Sequence, residues 1–159
     1  MQFAAGFSTR LTMIVIGGIV VAASPPAHQE KRGPTRVRVL AVQIGDATYY
    51  SSRFEGRKTA SGRIFDGNEP VAAHRTYRFG TVVRVTNVEN RRSVNLVIVD
   101  RGPYSKSRRE GPIIDLSPSA AKQIGIIKKG RARVKLEVLV WGNGDVDDSD
   151  LAAVKSASH

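Results

Sequence analysis

Three stretches of this chain alternate apolar and polar residues with period two, the pattern of strands that bury one face. Thr81 to Thr86 sets Val83 and Val85 on one side. Ser93 to Val99 does the same with Val94, Leu96 and Ile98. Arg133 to Val140 aligns Val134, Leu136, Val138 and Val140. Ala47 to Tyr50 is a shorter fourth candidate. The first two are joined by Asn87-Val88-Glu89-Asn90-Arg91-Arg92, which reads as a hairpin connection. One helix is expected. Ser117 is placed to cap it, Pro118 opens it, Ala120, Ala121 and Ile124 share a face, and Gly125 ends it. Several strands and one short helix predict a mainly β fold, a small barrel.

At 159 residues the chain suits one domain with tails. Met1 to Ala23 reads as an export signal: Arg10, then an apolar run from Leu11 too short for a comfortable span, then the small residues Val21-Ala22-Ala23. The other reading of this segment is an uncleaved N-terminal anchor. Residues 24–44 form a basic, Pro-rich linker, with weak alternation from Val37 to Val42 as an optional edge strand. Residues 45–141 form the domain. Residues 142–159 are acidic and small, and are expected to be a disordered tail. Their Asp-x-Asp spacing lacks the glutamate that closes an EF-hand loop. The chain has no cysteine, which excludes disulfides, thiol catalysis, cysteine zinc sites and a cysteine-linked lipid. The formal charge of +11 suits a polyanionic partner, and export demotes nucleic acid among these.

Candidate chemistry gathers at Asp100-Arg101-Gly102-Pro103, where an apolar strand delivers a carboxylate into a tight turn. His74 is the only histidine in the domain, since His28 and His159 lie in the tails. Among the carboxylates, Asp66, Asp100 and Asp115 sit in constrained settings. Asp115, just before the helix, is expected to cap backbone amides. No phosphate loop and no serine elbow is present. Carboxylate acid/base work remains, and outside the cell its natural substrate is a glycosidic bond.

Seven words in order resemble the rare lipoprotein A family of septal lytic transglycosylases: Gly45-Asp46-Ala47-Thr48-Tyr49-Tyr50, the stretch from Gly56 to Gly62, Ala72-Ala73-His74-Arg75-Thr76, Phe79-Gly80-Thr81, the stretch from Val83 to Asn87, Asp100-Arg101-Gly102-Pro103, and Ile114-Asp115-Leu116-Ser117. The resemblance implies a double-psi β-barrel. It further implies a carbon–oxygen lyase that cleaves peptidoglycan between N-acetylmuramic acid and N-acetylglucosamine, closing a 1,6-anhydro ring without water. In that reading Asp100 is the catalytic acid, and a low-dielectric groove or a neighbouring carboxylate keeps it protonated. His74 and Asp66 assist in the groove. Tyr49, Tyr50, Thr59, Ser61 and Arg101 hold substrate, and Phe54 and Tyr77 offer further sugar-facing rings. Asp115, Gly102 and Pro103 are structural, and no cofactor or metal is required.

The chain departs from the family in three places. It lacks the lipidated cysteine, it lacks a C-terminal glycan-binding repeat, and it has Arg63 where the family often has Glu. The product is therefore expected as a soluble, monomeric periplasmic or envelope protein, without a lipid anchor or a transmembrane helix after signal removal. Its expected partner is the glycan strand. The alternative reading is a non-catalytic, expansin-like module that binds or loosens the wall.

Overall fold

The computed structural model of the chain describes residues 38–104 and 111–156. The expected export signal, most of the linker, and His28 and His159 lie outside the described residues. Six strands run in the order β1 (Ala41–Tyr49), β2 (Val71–His74), β3 (Val82–Asn87), β4 (Ser93–Asp100), β5 (Ile114–Leu116) and β6 (Ala132–Val140). Among the described residues two α-helices accompany them, α1 (Pro118–Gln123) and α2 (Asp148–Ser156), with a 3₁₀ turn at Ser52–Phe54. The strands close into a barrel in the order β1-β5-β2-β4-β3-β6. The pairs β1·β5 and β2·β4 are parallel and the other four are antiparallel.

The interior follows from the alternation. Val83 and Val85 of β3 lie opposite Leu96 and Val94 of β4, and also pair with Val138 and Leu136 of β6. With Ile98, Ile114, Leu116 and Val134 they form one buried cluster. Burying each such side chain is worth about 1.5–3 kcal/mol. Helix α1 forms as expected: Ser117 Oγ accepts the Ala120 amide, Pro118 opens the first turn, and Ala120 and Ala121 are buried against the same cluster. Gly125 follows at φ +74°, a left-handed conformation that glycine adopts without strain.

Two boundaries differ from the sequence reading. The barrel begins at Ala41, inside the expected linker, because Ala41 to Ala47 pair continuously with Val138 to Ala132 of β6. Val42 and Ile44 stay 56% and 59% exposed, so backbone pairing rather than burial defines this half of β1. The second correction concerns the acidic tail, which is not a structureless segment throughout. Its residues Asp148–Ser156 form α2, and Leu151 and Val154, one helical turn apart, are buried. They join Tyr50, Phe65, Val71, Ala73, Val97 and Val99 in a second apolar cluster. The physical reason lies in β4. Its outward residues Val97 and Val99 are as apolar as its inward ones, so the strand is buried on both faces and needs a cover.

Candidate active site

A bulge sets the position of Asp100. Ala72 of β2 pairs with Ile98 and Ala73 pairs with Asp100, so Val99 is the extra residue. The bulge turns Asp100 to the side of the sheet that Ala73 faces. On the other edge of β2, Ala73 pairs with Asp115. The two aspartates therefore flank one alanine across three neighbouring strands, with backbones roughly 10 Å apart at the usual strand spacing. Both line an open groove of about 630 Å³. Gly102, at φ +145°, makes the turn out of the strand, and a side chain there would be strained.

The two carboxyl groups have different surroundings. Asp100 Oδ2 accepts from the Tyr50 hydroxyl at 2.7 Å, and Oδ1 accepts from the amides of Ala60 and Arg101, each at 2.8 Å. Burial and the Asp100 charge hold Tyr50 far above the usual tyrosine range, so it stays a donor. Asp115 Oδ1 accepts from the hydroxyl of Thr48, its register neighbour on β1. Burial pushes the Asp115 carboxyl up, the Thr48 bond pulls it down, and the Asp100 charge adds to the rise. A partly desolvated carboxyl group thus stands across one alanine from a carboxyl group that accepts three hydrogen bonds, and two groups so differently surrounded can divide proton donation and acceptance between them. The expectation that Asp115 caps the helix is corrected, because Ser117 does that.

The other expected site residues fall into three groups. Tyr49, Tyr50, Arg101, Gly102 and Pro103 line the groove with Asp100, as do Phe54 and Tyr104. The Tyr49 hydroxyl donates to the Ile127 carbonyl at 3.2 Å. Thr59 and Ser61 shape the neighbouring loop: their hydroxyls are 3.0 Å apart, Thr59 also bonds the Arg63 carbonyl, and the Ser61 amide donates to the Val99 carbonyl. That loop presents the Ala60 amide to Asp100.

His74 and Asp66 do not line the groove with Asp100. Asp66 closes a local turn on the amide and side chain of Asn68. His74 is 3% exposed. Its Nδ1 accepts the amides of Thr76 and Tyr77, so the proton sits on Nε2, facing Gln43 Oε1 at 3.1 Å. Burial, with the charges of Arg75 and Arg101, lowers its pKa to about 4. His74 is a neutral scaffold for the turn after β2. Arg101 ties that turn to the groove, donating from Nη1 to the Tyr77 carbonyl at 2.8 Å while stacked over Phe79. Arg63 turns toward α2, with Nη1 2.9 Å from Asp148 and Nη2 3.8 Å from Glu69.

Sequence reasoning missed Asp115 as a groove carboxylate, Thr48 as its partner and the Ala60 amide. Thr48 carried a faint signal, since it shares a strand end with Tyr49 and Tyr50. A backbone amide carries none, because every residue but proline has one.

Residues 42–136 match the protein family described as lytic transglycolase. The chain belongs to this family. Curated relatives include proteins named endolytic peptidoglycan transglycosylase RlpA. The one from Campylobacter jejuni is 41% identical over 112 residues, covering 70% of this chain and 39% of the relative. The one from Neisseria meningitidis serogroup A is 44% identical over 100 residues, covering 63% of this chain and 40% of the relative. The chain thus spans about two-fifths of the length of these relatives. Among solved structures, a Streptomyces papain inhibitor superposes with a TM-score of 0.50 at 19% identity, covering 65% of this chain and 99% of the inhibitor, a likeness of fold alone. The double-psi β-barrel expected from the sequence is the fold found. Both groove aspartates, Thr48, Tyr50 and Ala60 lie within the lytic transglycolase segment, whereas Trp141 and α2 lie beyond it.

Proposed function

We propose that the chain is an endolytic lytic transglycosylase of peptidoglycan, with Asp115 as proton donor and Asp100 as proton acceptor. The observation that carries this reading is the pair of unlike carboxyl groups flanking Ala73 on one groove. Family membership and the names of the curated relatives support the substrate. Asp115 gives its proton to the glycosidic oxygen as the bond from C1 of N-acetylmuramic acid breaks. The 6-hydroxyl of the same sugar attacks C1 and passes its proton to Asp100. One product ends in the 1,6-anhydro ring and the other gains a free hydroxyl. Exchange with solvent resets both carboxyl groups. No cofactor is needed in this scheme. It also exchanges the roles expected from the sequence, which made Asp100 the donor and Asp115 structural.

Such a substrate lies outside the cytoplasm, which agrees with the export reading of Met1 to Ala23. Among the described residues, no helix is long and apolar enough to cross a membrane. Arg63, the feature that favoured a non-catalytic module, is paired with Asp148 and Glu69 rather than lining the groove. The test is to incubate purified glycan strands with the protein and analyse the products by mass spectrometry. Anhydro-muramyl ends are expected. Strands that are bound but never cut would overturn the enzymatic reading in favour of the expansin-like one.

A further inference from the structure

A second cleft, of about 460 Å³, opens beside the turn that His74 supports, lined by Thr76, Tyr77, Arg78, Trp141 and Gly142. Trp141 is the only tryptophan of the chain, and it is 47% exposed. Its ring stands edge-on to Tyr77, with centroids 5.2 Å apart and planes at 87°, so the two rings make an open corner. Tyr77 is also stacked on His74, with ring centroids 3.7 Å apart.

The backbone beside the corner is tightly packed. Gly142 lies so close to the chain at 79–81 that a Cβ would sit 2.0 Å from the Phe79 carbonyl oxygen and 2.4 Å from the Thr81 nitrogen. The Gly142 amide donates to Thr81 Oγ1 at 3.1 Å, and the Gly144 amide to the Phe79 carbonyl at 3.2 Å. The backbone just after β6 that carries Trp141 is thereby held in place, which limits the entropic cost of binding there.

We infer that Trp141 and Tyr77 form a secondary glycan subsite that holds an N-acetylated pyranose ring of the strand lying in the main groove. A pyranose has one face of C–H groups and an edge of hydroxyls. An aromatic corner takes the face, and the exposed Thr76 and Arg78 at its rim take hydroxyl and acetamido groups. Continuity argues for the same strand. Arg101 lines the catalytic groove and holds the Tyr77 carbonyl, so a single arginine spans from one cleft to the other. Trp141 lies beyond the matched family segment, whereas Thr76, Tyr77 and Arg78 lie within it. The inference rests on the glycan-strand reading given above.

The single tryptophan supplies the test. The full chain is titrated with a hexamer of β-1,4-linked N-acetylglucosamine while indole emission is followed, in the wild type and in Asp100→Asn. A saturable change in emission is expected in both. By calorimetry, Trp141→Ala should weaken hexamer affinity about tenfold, and Trp141→Phe should recover most of it. Silent emission at saturating hexamer, or equal affinity in the wild type and Trp141→Ala, overturns the subsite. Anhydro products from glycan strands with silent Trp141 emission leave the enzymatic reading standing without the subsite. Responsive emission without products does the reverse.

Discussion

The outward side of the sheet has two regions that meet at Val99. Below the bulge, Val97 and Val99 are dry under α2, in a cluster with Leu151 and Val154. One residue further, Asp100 stands in an open groove. Tyr50 belongs to both regions. Its ring packs against Phe54 and Phe65 at centroid distances of 5.3 and 4.5 Å, and its hydroxyl reaches Asp100. The comparison teaches that the covered region serves as a footing. It fixes the donors around Asp100 while leaving the chemistry exposed to a long substrate.

The sharpest way to break the comparison is to disable the groove alone. Asp115→Asn and Asp100→Asn should each lower formation of anhydro ends about 10²- to 10⁴-fold, with melting temperature and sacculus binding little changed. Mass spectrometry and calorimetry read the two sides. If only Asp100→Asn is inert and Asp115→Asn keeps wild-type turnover, Asp115 is structural, as the sequence suggested.

Disabling the dry region should do the opposite. Leu151→Ala removes a buried side chain and should cost about 2–5 kcal/mol of stability in urea unfolding. Activity per folded molecule should fall much less. An unchanged midpoint would mean that α2 adds nothing to the barrel.

His74 tests whether a buried titratable group near the groove acts only on stability. Its folded pKa of about 4 lies below the usual 6.5. The unfolded chain therefore binds the extra proton first as pH falls. The stability linked to His74 is full above pH 6.5 and is lost between there and 4, by roughly 3 kcal/mol. His74→Asn can still accept the amides of Thr76 and Tyr77, and should flatten that acid limb of the melting curve. A limb of unchanged depth would assign it to other groups.

The smallest effect sharpens the donor assignment. The Thr48 hydroxyl pulls the Asp115 carboxyl down. Thr48→Val removes that pull, so Asp115 keeps its proton to higher pH. Because a donor loses activity as pH rises through its pKa, the alkaline limb of kcat/KM should move upward. A limb that stays fixed, or moves down, would separate the pH dependence from Asp115.

The sequence by itself did not determine the short strands β2 and β5, but it determined strands β3, β4 and β6, the end of β1, helix α1 and Asp100 at the end of β4. These are local matters: period-two burial is written in Val83, Leu96 and Val134, and Ser117 caps a helix three residues away. Its place just before a helix assigned Asp115 to capping, because what Asp115 faces depends on β2 and β1, 42 and 67 positions back in register. The bulge at Val99 was equally hidden. Strict alternation sets Asp100 with Ile98, and only pairing with β2 shows the extra residue that turns it into the groove. Helix α2 was missed because its acidic composition looked unable to bury anything. Two apolar side chains suffice when the outer face of β4 is already apolar, and that face acquires a partner only once the chain has closed.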